Sequence, residues 1–290
     1  MKKPPIYCIE QFQDFQLDRS FYANNFTKHL EAHHFISKPH KHDFYMVVLF
    51  TQGYGKHQID FTEYAIMPGS IFLLKPGQVH NWRFSRNIEG YIFFHTKEFY
   101  ELTYSHKKTA DYPFFYLNQN TPAIYSKSAK IKGLFEEILE EHRGEGLFKQ
   151  QKLCSLIDVL YIELSRMYYP QQAEADSKNH YFNQLMEFEQ LIELHFSQQK
   201  LPKTYAEKMC ITTKQLNRIS QATLHKPASE VIAQRIILEA KRLLVQGNLS
   251  MAEVALELGY EDPAYFSRFF KRKCGLTPKA FQQEVLAKWI

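Results

Sequence analysis

Two stretches in the last third of the chain echo one another. Tyr205-Ala206-Glu207-Lys208-Met209-Cys210-Ile211 aligns with Val254-Ala255-Leu256-Glu257-Leu258-Gly259-Tyr260 at an offset of 49, and Leu216-Asn217-Arg218 aligns with Phe266-Ser267-Arg268 at an offset of 50. Each copy reads as a short helix, a tight turn and a second helix, and one extra residue in the second turn accounts for the change of offset. A unit this small cannot enclose a core of its own, so the pair requires a brace. The helical spacing of Ile232, Ile236, Ile237, Ala240, Leu243 and Leu244 predicts that brace as a long helix from about Ser229 to Val245. The expected C-terminal architecture is therefore all-α, two helix-turn-helix units sharing one linking helix.

The helix boundaries carry local signals. Thr212 or Thr213 can cap the second helix of the first copy. Asp262 followed by Pro263 reads as an N-cap with proline in the first turn, where its missing N–H costs nothing. Gly259 lets the preceding helix end in a left-handed conformation. Leu216, Phe266, Phe269 and Phe270 read as core.

The first part of the chain follows a different pattern. From about 30 to 100, β-branched and aromatic runs (Phe44 to Thr51, His57 to Phe61, Ile71 to Leu74, Gly90 to His95) are broken by Gly and Pro, as in an antiparallel barrel or sandwich. Helical spacing takes over at about 126, with Ile131, Leu134, Phe135, Ile138 and Leu139, and again from Leu147 to about Tyr168. The stripe of this last helix is wide enough to bury against its own domain and against a second subunit. Residues 170–179 open on Pro170, are polar and lack any apolar period, so they read as an interdomain linker. The expected division is 1–169, with a barrel at about 30–100 and helices at about 126–169, then the linker 170–179, then 180–290.

Charge divides at the same place. Residues 1–177 hold 20 Lys+Arg and 20 Asp+Glu, whereas residues 178–290 hold 16 and 11, so the net +5 lies wholly in the second part. That placement favours an anionic partner for the helical half. The four cysteines, Cys8, Cys154, Cys210 and Cys274, form no CxxC pair, which suits a reducing compartment. The basic start runs into Glu10 and Asp14 with no apolar run behind it, and no stretch approaches 18 apolar residues. The expectation is a cytoplasmic protein with no membrane span.

Two segments of the first part concentrate imidazoles. His40-Lys41-His42 precedes a strand, and Gly69 to His80, with Pro76-Gly77 inside it, follows the next hairpin. They resemble the two motifs of the cupin superfamily, which implies a small β-barrel holding a metal or a small ligand in its mouth. Residues i and i+2 of a strand share a face, so His40 and His42 can point together and His80 can join them. Three imidazoles would suit zinc or iron. However, Met46 or Val47 stands where the cupin pattern expects a glutamate. Hydrogen bonding among the histidines is therefore preferred to a metal site, with His40, His42 and His80 as its weak candidates, and no cofactor is expected. His40, His42, Tyr45, His80 and Trp82 are the candidate lining of an effector pocket, with Asp43, His57 and His95 as further polar groups.

In the second part, Ala252 to Asp262, then Tyr265-Phe266-Ser267-Arg268-Phe269-Phe270-Lys271, then Gly275-Leu276-Thr277-Pro278, resemble the signature of AraC/XylS-type transcription regulators, over about 180–283. The first copy departs from the pattern, with Ser220 and His225 where the family usually has an aromatic and a glycine. The resemblance implies a sequence-specific regulator of transcription, more often an activator. It further implies double-stranded DNA and RNA polymerase as partners, a small-molecule or partner signal received by the first part, and a possible homodimer. By the same resemblance Thr213, Lys214, Asn217 and Arg218 in one copy, and Ala264, Tyr265, Ser267 and Arg268 in the other, are the candidate DNA-contacting residues, with Lys271, Arg272 and Lys273 meeting phosphate. The competing reading is a metal-dependent cupin enzyme with a helical appendage, which leaves the repeat unexplained.

Overall fold

A computed structural model describes residues 5–12, 20–33, 38–104, 108–109, 112–116, 122–168, 176–246 and 249–288. Residues 5–115 and 122–168 belong to one compact unit, and 176–288 to a second.

The first unit begins with β1 (Ile6–Tyr7), a 3-10 turn (Ile9–Phe12), β2 (Phe21–Asn25) and α1 (Phe26–Ala32). Next come β3 (Lys41–His42), β4 (Tyr45–Gln52), β5 (Gly55–Ile59), β6 (Thr62–Ile66), β7 (Ser70–Leu74), β8 (His80–Phe84) and β9 (Glu89–His95). After the short helices α2 (Lys97–Glu101) and α3 (Pro113–Tyr116) and the strand β10 (Ala123–Tyr125), the unit closes with α4 (Ala129–Arg143) and α5 (Lys149–Tyr168). The strands form a five-stranded sheet in the order β10-β7-β4-β9-β2, a three-stranded sheet in the order β6-β5-β8, and a parallel pair of β1 with β3.

Both faces of the five-stranded sheet are buried. In β4, Val47 lies opposite Leu73 and Phe93, and with them Tyr45 and Leu49 face the helices, where Leu134, Phe135 and Ile138 of α4 and Leu153, Ile157, Leu160 and Leu164 of α5 cover them. Val48 lies opposite Phe72 and Ile92, and with Met46 and Phe50 it faces the other way, toward Ile59, Ile66 and Trp82 of the small sheet. A strand covered on both sides has no solvent face to mark with polar residues, which is why β4, β7 and β9 read as unbroken apolar runs. Each fully buried Leu, Ile or Phe contributes about 1.5–3 kcal/mol.

The expected β-rich first domain is present, and its strands form two facing sheets and not a closed barrel. Among the described residues no ladder joins the large sheet to the small one. The reason lies at the corners: Gly53 after β4 and Met67-Pro68-Gly69 after β6 carry the chain from one sheet to the other instead of prolonging a ladder. The sheet also outgrows the expected span of 30–100, because β2 pairs with β9 and β10 pairs with β7.

The second unit holds α6 (Asp176–His195), α7 (Pro202–Lys208), α8 (Thr213–Leu224), α9 (Ala228–Gln246), α10 (Met251–Glu257), α11 (Pro263–Cys274) and α12 (Pro278–Lys288). The repeat appears as α7-α8 and α10-α11, with α9 joining them. Helix α6 starts at Asp176, so the last four residues of the expected linker are helical, while 170–175 lie outside the described residues. Among the described residues no helix is long and apolar enough to cross a membrane.

Candidate nucleic-acid interface and sensor core

Each recognition-type helix is started by a side chain. Thr212 accepts from the Gln215 N–H at 3.1 Å at the head of α8, and Asp262 accepts from the Ala264 N–H at 2.8 Å at the head of α11, with Pro263 in the first turn. The turns before them pass through the left-handed region at Cys210 (φ 53°) and Gly259 (φ 70°). At Gly259 a Cβ would stand 1.8 Å from the Ser197 carbonyl oxygen, so this turn docks on the end of α6 through bare backbone. Both helices end left-handed as well, at His225 (φ 54°) and Gly275 (φ 79°). The first copy thus has the ordinary exit geometry on a residue with a Cβ.

Of the candidate DNA-contacting residues, Lys214, Arg218, Ala264, Tyr265, Arg268, Lys271 and Arg272 are exposed, and Thr213, Asn217 and Ser267 are half-buried. Lys214 and Arg218 are one turn apart on the outer face of α8, and Gln221, which sequence reasoning passed over, extends that face by another turn. Its signal was present, since Gln221 stands at an offset of 50 from Lys271. Arg268 lies 3.6 Å from the Asp262 carboxylate, and the Arg218 guanidinium sits 5.5 Å from the Tyr181 ring centroid.

The Asn217 amide is engaged within the fold. Its Nδ2 donates to the Thr213 carbonyl at 3.2 Å and its Oδ1 accepts from the Ala228 N–H at 3.0 Å, so the amide fastens α8 to the start of α9. The second copy shows the same logic by omission. Pro278 stands at the place of Ala228 and has no N–H to satisfy, and Ser267 replaces Asn217.

The charge surplus is also divided. Arg235 is buried, bonded to Glu193 at 3.0 Å and Glu239 at 2.9 Å with its guanidinium 3.9 Å from the Phe196 ring centroid, and Arg242 is buried 3.6 Å from Glu239. Lys273 pairs with Glu230. These cations hold α6, α9 and α11 in place, leaving Lys214, Arg218, Arg268, Lys271 and Arg272 on the surfaces of α8 and α11.

In the first unit, the small sheet brings the imidazoles together. Antiparallel register sets His57 opposite Trp82 and Ile59 opposite His80, and the period of two turns all four toward the sandwich interior. His40 is tied to His80 by paired backbone bonds of 3.1 and 2.8 Å. The His80 ring centroid lies 4.3 Å from that of His40, 5.0 Å from those of His42 and Trp82, and 5.2 Å from that of His57. Tyr45 does not join them. It lies on the opposite face of the large sheet, its ring stacked on His95 at 5.3 Å, and His95 Nε2 accepts from the Tyr161 hydroxyl of α5 at 2.7 Å. His57 is in the cluster, whereas His95 belongs to the helix-covered core.

The hydrogen bonds assign tautomers. His40 Nδ1 is 2.8 Å from the Lys38 carbonyl and His42 Nδ1 is 2.9 Å from the Phe44 carbonyl. A carbonyl accepts only, so both Nδ1 atoms carry the proton and both Nε2 atoms present lone pairs. His57 Nε2 and His80 Nδ1 share one bond of 2.9 Å. Among the described residues, four buried polar atoms of this cluster then have no partner: His42 Nε2, His57 Nδ1, His80 Nε2 and Trp82 Nε1. Burial drives these imidazoles to the neutral form, lowering His40 to about 4 and His42 to about 3, and holding His57 and His80 well below the usual range, with the neighbouring imidazoles adding to the effect on the last three. Among the described residues no group of three or more His, Cys, Asp or Glu side chains is arranged to hold a metal ion.

The comparisons with known proteins divide the chain in the same way. Residues 26–157 match the family of AraC-like ligand binding domains, and residues 205–284 match a helix-turn-helix domain family. The arabinose operon regulatory protein of Escherichia coli is 23% identical over 250 residues, covering 86% of this chain and 83% of its own length. The transcriptional activator RhaR of Cronobacter sakazakii is 21% identical over 251 residues, covering 84% and 86%. Among solved structures, ToxT of Vibrio cholerae covers 91% of this chain and 98% of its own at 14% identity, with a TM-score of 0.44.

Proposed function

The chain belongs to the AraC/XylS-type regulators of transcription, DNA-binding proteins with a ligand-binding domain and not enzymes, and from that premise we propose that α8 and α11 read its operator. The observation that carries this reading is the pair of capped helices, each with an exposed polar and basic face, braced by the single helix α9. Recognition helices of this kind enter successive major grooves, about one helical turn of DNA apart. Arg218 and Arg268 are the proposed base readers, with Lys214, Gln221, Ala264, Tyr265 and Ser267 beside them. A good bidentate Arg–guanine pair is worth about 1–3 kcal/mol of discrimination. Lys271 and Arg272 meet phosphate. Thr213 has only its place at the head of α8 in its favour, and Asn217 is reassigned from base reading to fastening α8 to α9.

The first unit receives a small molecule, and the proposed site is the interior face carrying His40, His42, His57, His80 and Trp82. Activation through RNA polymerase is supported by the likeness to RhaR, a named activator. The exposed Val159 and Ile162 on α5 support a homodimer. A cytoplasmic location accords with this role. Arg268→Ala tests the reading: binding to a site selected from a random library should fall about 5- to 150-fold, the equivalent of 1–3 kcal/mol, and far more than binding to random DNA. Equal losses on both would reduce Arg268 to a phosphate contact.

A further inference from the structure

The two copies of the repeat differ at two adjacent positions, where Gly259 stands at the place of Cys210 and Tyr260 at the place of Ile211. Both turns are left-handed there, at φ 70° and 53°. The turn itself does not require a glycine, since the first copy makes it with Cys210, whose side chain is exposed. What requires one in the second copy is a neighbour. A Cβ at Gly259 would stand 1.8 Å from the Ser197 carbonyl oxygen and 2.9 Å from Lys200 Nζ. Both atoms belong to residues 196–200, which connect α6 to α7.

That connection is held on three sides. Tyr205, buried on α7, donates its hydroxyl to the Gln199 carbonyl at 2.8 Å. The Phe196 ring lies against the Arg235 guanidinium of α9, at 3.9 Å. Lys200 Nζ donates to the Ser197 carbonyl at 2.8 Å and lies 4.7 Å from the Tyr260 ring centroid. The first two contacts fix the connection to the first copy and to the brace, and the third reaches the second copy. From Tyr260 the contact passes into α11, because its ring centroid lies 5.9 Å from that of Tyr265 and 5.4 Å from that of the buried Phe266.

A single connecting helix leaves two packed units free to swing as it bends, and a second attachment away from its axis removes that freedom. Lys200 is suited to the task. Its ammonium is half-buried, and burial lowers its pKa, so the face of the Tyr260 ring stands where water would otherwise solvate the charge. Resting on the reading that α8 and α11 both enter the operator, we propose that Lys200 is a positioning residue for α11. Closed on Tyr260, it fixes the second recognition helix relative to the first and so sets the half-site spacing that the chain accepts.

The test uses the full chain and the DNA site selected from a random library. The base pairs at which Arg218→Ala and Arg268→Ala relax that selection locate the two half-sites. Duplexes are then made with the half-sites one base pair closer or farther apart, a change of about 3.4 Å and about 35°. Parent affinity should fall about 5- to 150-fold on such duplexes, the loss of one good bidentate contact. Lys200→Met should shrink that spacing penalty by about 2- to 30-fold, the range of a cation–π contact, while affinity for the selected spacing falls less. Lys200→Arg, which keeps a cation for the ring, should retain the parent penalty. Tyr260→Leu removes the ring instead and should reproduce the Lys200→Met result, with no further change when the two are combined.

A parent-like penalty in Lys200→Met would leave the spacing to α9 alone and overturn the proposal. Equal losses at every spacing would overturn it too, and a salt dependence shallower by about one unit would then mark Lys200 as a phosphate contact. A Lys200→Arg variant that behaves like Lys200→Met would refute the cationic clamp. A parent with no spacing penalty would remove the reading that both helices enter the operator, a failure visible before any Lys200 variant is made.

Discussion

Acidification should unfold the sensor unit, and the size of the effect can be worked from its buried histidines. Burial lowers His40 to about 4, His42 to about 3 and His95 to about 4, against an ordinary value near 6.5. These folded-state values lie below the unfolded one, so between them the unfolded chain binds protons that the fold refuses. Stability is complete above pH 6.5 and is lost as pH falls toward the folded values. Between pH 7.5 and 5.5 each of the three costs about 1.3 kcal/mol, and together they cost about 4 kcal/mol. His29, His57 and His80, also held well below the usual range, act in the same direction. A loss of this size is a large part of the 5–15 kcal/mol that typically holds a domain together. Trp82 lies inside the cluster, and Trp289→Phe would make it the sole tryptophan, so urea unfolding followed by its fluorescence reports on this unit. The midpoint should drop steeply from pH 7.5 to 5.5, and the double variant His57→Phe/His80→Phe should drop less. Equal midpoints at the two pH values would refute the burial argument.

Three further outcomes are expected from the helical unit. Gly259→Ala places a methyl group against the Ser197 carbonyl oxygen and a Cβ on left-handed backbone, so it should cost about 2 kcal/mol or more in a urea titration and weaken DNA binding with it. His225→Gly relieves a left-handed C-cap and should gain about 0.5–1 kcal/mol, read as a rise in unfolding temperature. Asn217→Ala removes the partner of the Ala228 N–H, and the expected loss is about 1 kcal/mol of stability with no change in the preferred DNA sequence; a changed preference would restore Asn217 as a base reader.

Much of the helical half was legible because its determinants are local. The caps, the left-handed turn and the apolar period lie within a few residues of what they control, and the offset of 49 to 50 exposes two copies to one another. Even the bond from Asn217 to the Ala228 N–H has a trace in the sequence, in the exchange of Ala228 for Pro278 between the copies. The sheet half was legible in its strands and not in its pairings. Nothing near Phe21–Asn25 or Ala123–Tyr125 says that they complete a sheet with β9 and β7, since those partners are far off in sequence. Tyr45 was placed with the histidines because its own strand gives no parity signal: apolar residues fill both of its faces, and alternation is visible only where one side meets water.

That double burial also bears on how a signal leaves the sensor. Met46 and Val47 are neighbours in the chain, yet one faces the histidine side and the other the helices α4 and α5. No solvent layer lies on either side to take up a displacement, and close-packed interiors compress little. The strand is therefore a partition one residue thick, and side chains displaced on one of its faces would press on those of the other at the next residue along.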